Sequence, residues 1–245
     1  VRAYDCWTPD SIQVVTNQPG MVTFQWNAPE PGALSYEYVV AQYFSYPYQG
    51  TILTEDTTIT ITDLDPSQVY YLIIRSSCGD GNYSPWTLVE FVTVSANDDC
   101  AMALELFPSL MEYCEQSTEG STIGASASGQ AVGTCGGQPD DDVWYKFVAA
   151  GRSHSIQLTP YCSQNNKLPS LPEELSFQDC EAYTIELYSD SCDGAFIDCI
   201  SLPAGSYGTQ FVETDLSIGT TYFLRVFGTE EFEGGSNFYI CVSSF

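Results

Sequence analysis

The sequence predicts an all-β protein of two β-sandwich domains in tandem, residues 1–96 and 97–245. Three observations carry this. Apolar and polar residues alternate over short windows along the whole chain, the period of a half-buried strand. Those windows are separated by Gly, Pro, Asn and Asp clusters, and convincing helix signals are few. The chain holds 245 residues, 44% hydrophobic and 14% aromatic, which suffices for one large or two ordinary cores.

The first strand signal is Val22, Phe24 and Trp26 alternating with Thr23, Gln25 and Asn27, and Ala28-Pro29-Glu30-Pro31-Gly32 breaks it. Residues 58–62 alternate Thr with Ile. Residues 70–74 form a strand that runs into Arg75-Ser76-Ser77-Cys78 and the turn Gly79-Asp80-Gly81-Asn82, and residues 89–94 supply the last strand. About seven short strands in about 95 residues is the count of an immunoglobulin-like sandwich. These residues resemble a fibronectin type III domain. Val22-Thr23-Phe24-Gln25-Trp26 matches the strand with the core tryptophan, and Leu64-Asp65-Pro66-Ser67-Gln68-Val69-Tyr70 matches the tyrosine corner. The resemblance implies that the Tyr70 hydroxyl bonds back to the preceding backbone. Cys6 and Cys78 look like the variant found in secreted proteins of Bacteroidetes-type bacteria. No Arg-Gly-Asp stands at 79–85, so an integrin-binding role is not supported.

The second half opens at Asn97-Asp98-Asp99-Cys100. Its strand signals include Val143-Trp144-Tyr145-Lys146-Phe147, Ile185-Glu186-Leu187-Tyr188, residues 216–226, and Phe238-Tyr239-Ile240-Cys241-Val242. This series resembles the bacterial pre-peptidase C-terminal (PPC) domain, a jelly-roll-like β-sandwich attached to secreted proteases, collagen-binding enzymes and adhesins. Residues 161–181 are longer than that family carries between strands, and a loop of this kind on a rigid sandwich is a natural place for specificity.

Charge and cysteine content narrow the function. With 32 acids against 6 bases the net charge is −26, which repels nucleic acid and anionic lipid. No stretch approaches the roughly 18–20 apolar residues of a spanning helix, and residues 1–7 lack a signal-peptide pattern, so the chain reads as part of a longer parent. Ten cysteines without a close C-x-x-C pair point to disulfides, and so to a secreted or cell-surface location in an oxidising space. Their spacing suggests Cys6–Cys78, Cys114–Cys135, Cys162–Cys180, Cys192–Cys199 and Cys100–Cys241, each long loop adding about 3–5 kcal/mol.

Catalytic machinery is not expected. His154 is the single histidine and reads as an exposed strand residue, and no serine-hydrolase, zinc-protease or P-loop motif occurs. Asp190-x-x-Asp193-Gly194 lacks EF-hand spacing and reads as a hairpin turn. The PPC resemblance implies a calcium site at the linker acids and the acids before the Trp strand, which makes Asn97, Asp98, Asp99, Asp140 and Asp142 its candidate ligands. Tyr43, Phe44, Tyr46 and Tyr48 crowd one window with Phe44, Tyr46 and Tyr48 on one face, so exposed rings there are candidates for stacking on a sugar or a partner protein. The expected function is a non-catalytic adhesion module of a secreted or cell-surface bacterial protein, binding an extracellular glycan or a matrix or cell-surface protein, with Ca2+ rigidifying the domain junction. The alternative is an accessory module of a secreted protease or polysaccharide-degrading enzyme whose catalytic domain lies elsewhere.

Overall fold

The computed structural model describes residues 6–30, 32–43, 50–111, 114, 116–161, 181–229 and 235–245. The chain divides into two compact units between Val94 and Ser95. Ser95 goes with the second unit because its N–H donates to Gly124 O (3.4 Å) and its hydroxyl to Asn97 Oδ1 (3.1 Å).

Among the described residues the first unit has seven strands: β1 (Asp10–Gln18), β2 (Met21–Asn27), β3 (Ser35–Ala41), β4 (Ile52–Thr54), β5 (Thr58–Ile61), β6 (Val69–Ser77) and β7 (Thr87–Val92). They form two sheets, β1-β2-β5 and β4-β3-β6-β7. The β2 alternation sends Val22, Phe24 and Trp26 into a core shared with Tyr36, Leu72 and Phe91. Trp26 meets Tyr36 edge-on at 5.1 Å and Phe24 meets Phe91 at 4.9 Å, the geometry that aromatic quadrupoles favour. This is the fibronectin type III-like sandwich expected. The corner forms as expected too: the Asp65 N–H donates to the Tyr70 hydroxyl at 3.1 Å. Tyr70→Phe leaves that donor without its acceptor, and an expected loss of about 1 kcal/mol should appear as a lower urea midpoint at unchanged slope.

The second unit holds β8 (Leu104–Glu105), β9 (Thr118–Ser121), β10 (Val143–Val148), β11 (His154–Pro160), β12 (Tyr183–Ser189), β13 (Phe196–Leu202), β14 (Thr209–Glu213), β15 (Thr221–Gly228) and β16 (Asn237–Ser244). A five-stranded sheet runs β13-β12-β15-β10-β8 and a four-stranded sheet runs β14-β11-β16-β9. Val143, Tyr145, Leu187, Leu224, Ile156 and Phe238 belong to the core between them. Strand alternation therefore turns Trp144, Glu186, Tyr188 and Arg225 onto the outer face of the five-stranded sheet. A second tyrosine corner precedes β15, where the Ser217 N–H donates to the Tyr222 hydroxyl at 2.9 Å. Among the described residues no helix is long and apolar enough to cross a membrane.

Among the described residues the cysteine pairing matches the expected one at Cys6–Cys78 (Cα–Cα 5.8 Å) and differs at the rest. The second unit pairs Cys100 with Cys192, Cys114 with Cys241 and Cys135 with Cys199, in place of Cys100–Cys241, Cys114–Cys135 and Cys192–Cys199. The layers of the sandwich explain the change. Cys100 packs with Trp144, Tyr188 and Cys192 outside the five-stranded sheet, whereas Cys241 lies on β16 of the other sheet. Cys199 sits on β13 opposite Glu186, while Cys192 lies in the preceding turn. Cys162 and Cys180 lie outside the described residues. Residues Asp190 and Asp193 flank the β12–β13 turn, with the Ser189 N–H donating to Ala195 O (3.0 Å), so this is a hairpin as expected.

His154 is not exposed. It is fully buried at the start of β11, with its ring 5.3 Å from that of Phe147 and its Nε2 accepting the Ala150 N–H at 3.2 Å. The alternation that buries Ile156 and Leu158 buries His154 as well. Burial holds its pKa below the ordinary value. A depressed histidine favours the fold while neutral, so its contribution is complete above the unfolded value of about 6.5 and fades as pH falls through the lower folded value.

Candidate functional site

The five residues implied as calcium ligands do not converge on a cation. Asp142 is fully buried and its carboxylate accepts from Ser128 N (2.7 Å), the Ser128 hydroxyl, Trp144 Nε1 (3.0 Å) and Arg225 Nε (2.9 Å). Three of these donors crowd Oδ2 and one reaches Oδ1, so protein groups ring the buried carboxylate. Buried Asn97 donates its amide to Trp144 O (2.8 Å), and its Oδ1 takes the Ser95 hydroxyl. Asp98 is held by the Ser126 N–H (2.5 Å) and hydroxyl (2.9 Å), and burial raises its pKa against those two bonds. Asp99 and Asp140 are exposed. Asp141 turns the other way and accepts the Gly228 N–H at 2.9 Å. Among the described residues no group of three or more His, Cys, Asp or Glu side chains is arranged to hold a metal. The residues present do not fit calcium, because protein donors already occupy the best oxygens.

What Asp142 joins is a buried ionic network that sequence reasoning missed. Arg225 is fully buried, with Nε on Asp142 (2.9 Å), Nη1 on Glu186 Oε2 and Ala131 O (both 3.3 Å), and Nη2 on Ser128 Oγ (3.3 Å) and Gln130 O (3.4 Å). Glu186 also accepts the Tyr188 hydroxyl (2.6 Å) and the Gly133 N–H (2.5 Å). Burial opposes the charge on Arg225, but Asp142 and Glu186 outweigh it and raise its pKa above the ordinary value. Residues 126–135 close over this cluster. A Cβ at Gly133 would strike the Phe196 ring and the Glu186 carboxylate, so only glycine permits the approach. The Cys135–Cys199 bridge fastens the end of the segment to β13. One sequence signal did exist: Arg225 is one of only six bases, yet it interrupts the apolar run Tyr222-Phe223-Leu224-Arg225-Val226-Phe227.

The outer face of the four-stranded sheet differs. Register places Gln157 of β11 beside Gln210 of β14, and Thr159 beside Tyr239 of β16, which in turn faces Glu119 of β9. Tyr161 follows β11, its N–H donating to Asn237 O (2.8 Å) and its ring centroid 6.0 Å from that of Tyr239. Tyr161 is 55% and Tyr239 36% exposed, and Thr159 and Gln210 are exposed beside them. Both glutamine amides donate to the Ser155 hydroxyl, Gln210 at 2.6 Å and Gln157 at 3.5 Å, which anchors them in the sheet. The result is a rigid surface of two rings, two amides, a hydroxyl and a carboxylate. Of the aromatic set expected in the first unit, Tyr43 is 81% exposed. Phe44, Tyr46 and Tyr48 lie outside the described residues. The signal for Tyr239 was its outward phase in Phe238-Tyr239-Ile240, flanked by two core residues.

Where the edge strands β13 and β14 meet, Glu213 and Asp198 approach each other. Burial first, then the Asp198 carboxyl, raise the Glu213 pKa to about 7. A carboxyl with a raised folded value stabilises the fold while protonated and loses that contribution as pH rises through about 7. Glu213→Gln is therefore expected to raise the melting temperature at about pH 8 and to leave it nearly unchanged at about pH 5, as scanning calorimetry at both values would show.

Fold and site together define an all-β tandem protein: a fibronectin type III-like sandwich followed by a larger, disulfide-stapled sandwich with a buried ionic network on one sheet and exposed tyrosines on the other. Residues 174–240 match a T9SS-associated family model described as galactose binding domain-like. No curated protein matches the chain. Among solved structures, a two-domain fibronectin type III segment of chicken tenascin is 11% identical, with 98% of this chain and 100% of that chain covered and a TM-score of 0.34. The fn3 domain of the human collagen alpha-1(XX) chain is 13% identical, covering 39% of this chain and 91% of that one, at a TM-score of 0.32. The fibronectin type III domain of human fibronectin type III domain containing protein 3 is 19% identical, covering 39% and 92%, also at 0.32.

Proposed function

We propose that the chain is a non-catalytic accessory segment of an exported protein, and that its second unit binds glycan on the outer face of the four-stranded sheet. The observation that carries this reading is the pair Tyr161 and Tyr239, exposed beside the anchored amides of Gln157 and Gln210 on a regular sheet. Sugar rings present apolar C–H faces that stack on such aromatic rings, while their hydroxyls bond amides and carboxylates. The sheet fixes the spacing of all these groups before any ligand arrives, which limits the entropy lost on binding. A family description naming galactose binding supports a sugar ligand, and its T9SS association supports export. Four disulfides among the described residues support an oxidising destination. The first unit serves in this reading as spacer and adhesive part, and no metal is required.

The test is a titration calorimetry series with galactose-containing oligosaccharides. Tyr239→Ala should weaken binding roughly tenfold or more, equivalent to about 1.4 kcal/mol, with the melting temperature little changed because the side chain is partly exposed. Absence of binding across a galactose-containing glycan array overturns the proposal.

A further inference from the structure

Resting on the glycan reading, the open face also indicates which glycans it takes. Among the described residues its one charged group is the Glu119 carboxylate, which only accepts. One N–H of each of Gln157 and Gln210 is committed to the Ser155 hydroxyl, and both amide carbonyls remain acceptors. The Glu119 carboxylate stands opposite Tyr239 in register, and the Thr159 hydroxyl lies beside the same ring. Among the described residues, positive charge lies elsewhere. Among the described residues the bases are Arg75 in the first unit, Arg152 at the end of β11 away from Tyr161, and Lys146 and Arg225 in the five-stranded sheet. Arg75 is tied to Glu37 at 2.6 Å, and Arg225 is sealed in its network.

We infer that this face selects uncharged, hydroxyl-rich glycans and turns away sulfated or uronate-bearing ones. A sulfate or carboxylate finds no cation among the described residues of this face, and neutral donors alone do not replace the hydration of a charged group. It also meets the Glu119 carboxylate and the field of a chain carrying a net −26. A hydroxyl avoids both penalties because it donates. The short-range mismatch is independent of salt. The repulsion is not, because the Debye length shrinks from about 20–30 Å at low ionic strength to a few ångströms at high.

The experiment compares a neutral β-1,4-galactotetraose with the same backbone carrying sulfate, by titration calorimetry on the whole chain at about 20 mM and about 500 mM salt. The sulfated sugar is expected to bind at least tenfold more weakly at low salt, with the gap narrowing at high salt. Glu119→Gln should narrow the low-salt gap between the neutral and the sulfated sugar, because it removes the one negative charge of the face and keeps an acceptor in its place. Equal or tighter binding of the sulfated sugar overturns the selectivity and leaves the glycan reading standing. A gap that neither salt nor Glu119→Gln changes overturns the assignment of the selectivity to Glu119 and the field of the chain. Binding of neither sugar overturns both.

Discussion

Replacing Arg225 with Met is expected to lower the unfolding free energy of the second unit by about 3–5 kcal/mol, the cost of stranding buried carboxylates without their counter-charge. For a unit of this size that is a fall of roughly 10 °C in melting temperature. Two carboxylates are stranded at once, because Arg225 bonds both Asp142 and Glu186 and all three side chains are fully buried. Arg225→Lys should recover little. An ammonium is a single point of charge and does not reproduce the planar fork that reaches two acids and three other oxygens. Adding Asp142→Asn and Glu186→Gln to Arg225→Met should restore part of the loss, since the amides no longer carry the charge that needed compensation. Chemical denaturation followed by near-ultraviolet circular dichroism reads each step through Trp144, which donates to Asp142. A loss under about 1 kcal/mol for Arg225→Met would mean that water reaches the cluster and that the sealed-face account is wrong.

The double substitution Cys135→Ala/Cys199→Ala is the second change with a large expected effect. The bridge spans a sequence separation of 64 residues. Closing a loop of that length restricts the unfolded chain by about 4 kcal/mol in the entropic treatment, and removal of native bridges costs about 2–5 kcal/mol. The loss should have a location as well as a size. Cys135 ends the segment that lays the Gly133 N–H on Glu186, so amide exchange at Gly133 should accelerate far more than exchange in β16. Peptide mapping without reduction should recover Cys100–Cys192, Cys114–Cys241 and Cys135–Cys199 as three separate pairs. Uniform acceleration of exchange across both sheets would show instead that the bridge has no local role at the cover.

Local pattern carried most of the fold. The alternation at Val22, Phe24 and Trp26 and the spacing from Leu64 to Tyr70 are contained within a few residues, so period and corner could be read before any partner strand was known. What depended on layers could not be read. Cys100 and Cys241 look like a natural closing pair along the chain, yet they belong to different layers of the sandwich. Asp142 looked like a cation ligand because acids cluster before β10, but its cationic partner is Arg225, 83 residues away and on another strand. His154 went wrong for a related reason: a strand's period is visible in its residues, while the face that turns inward is chosen by its neighbours β14 and β16. Tyr161 and Tyr239 are brought side by side only by the β11–β16 pairing, so no window of sequence contains the site.

The order of the cysteines has a consequence for survival outside the cell. Cys100, Cys114 and Cys135 all precede residue 162, and their partners Cys192, Cys241 and Cys199 all follow residue 180. An extracellular protease that cut the chain anywhere from 162 to 180 would therefore produce two pieces joined by three covalent crosslinks. Such a nicked molecule should run as one band without reductant and as two with it.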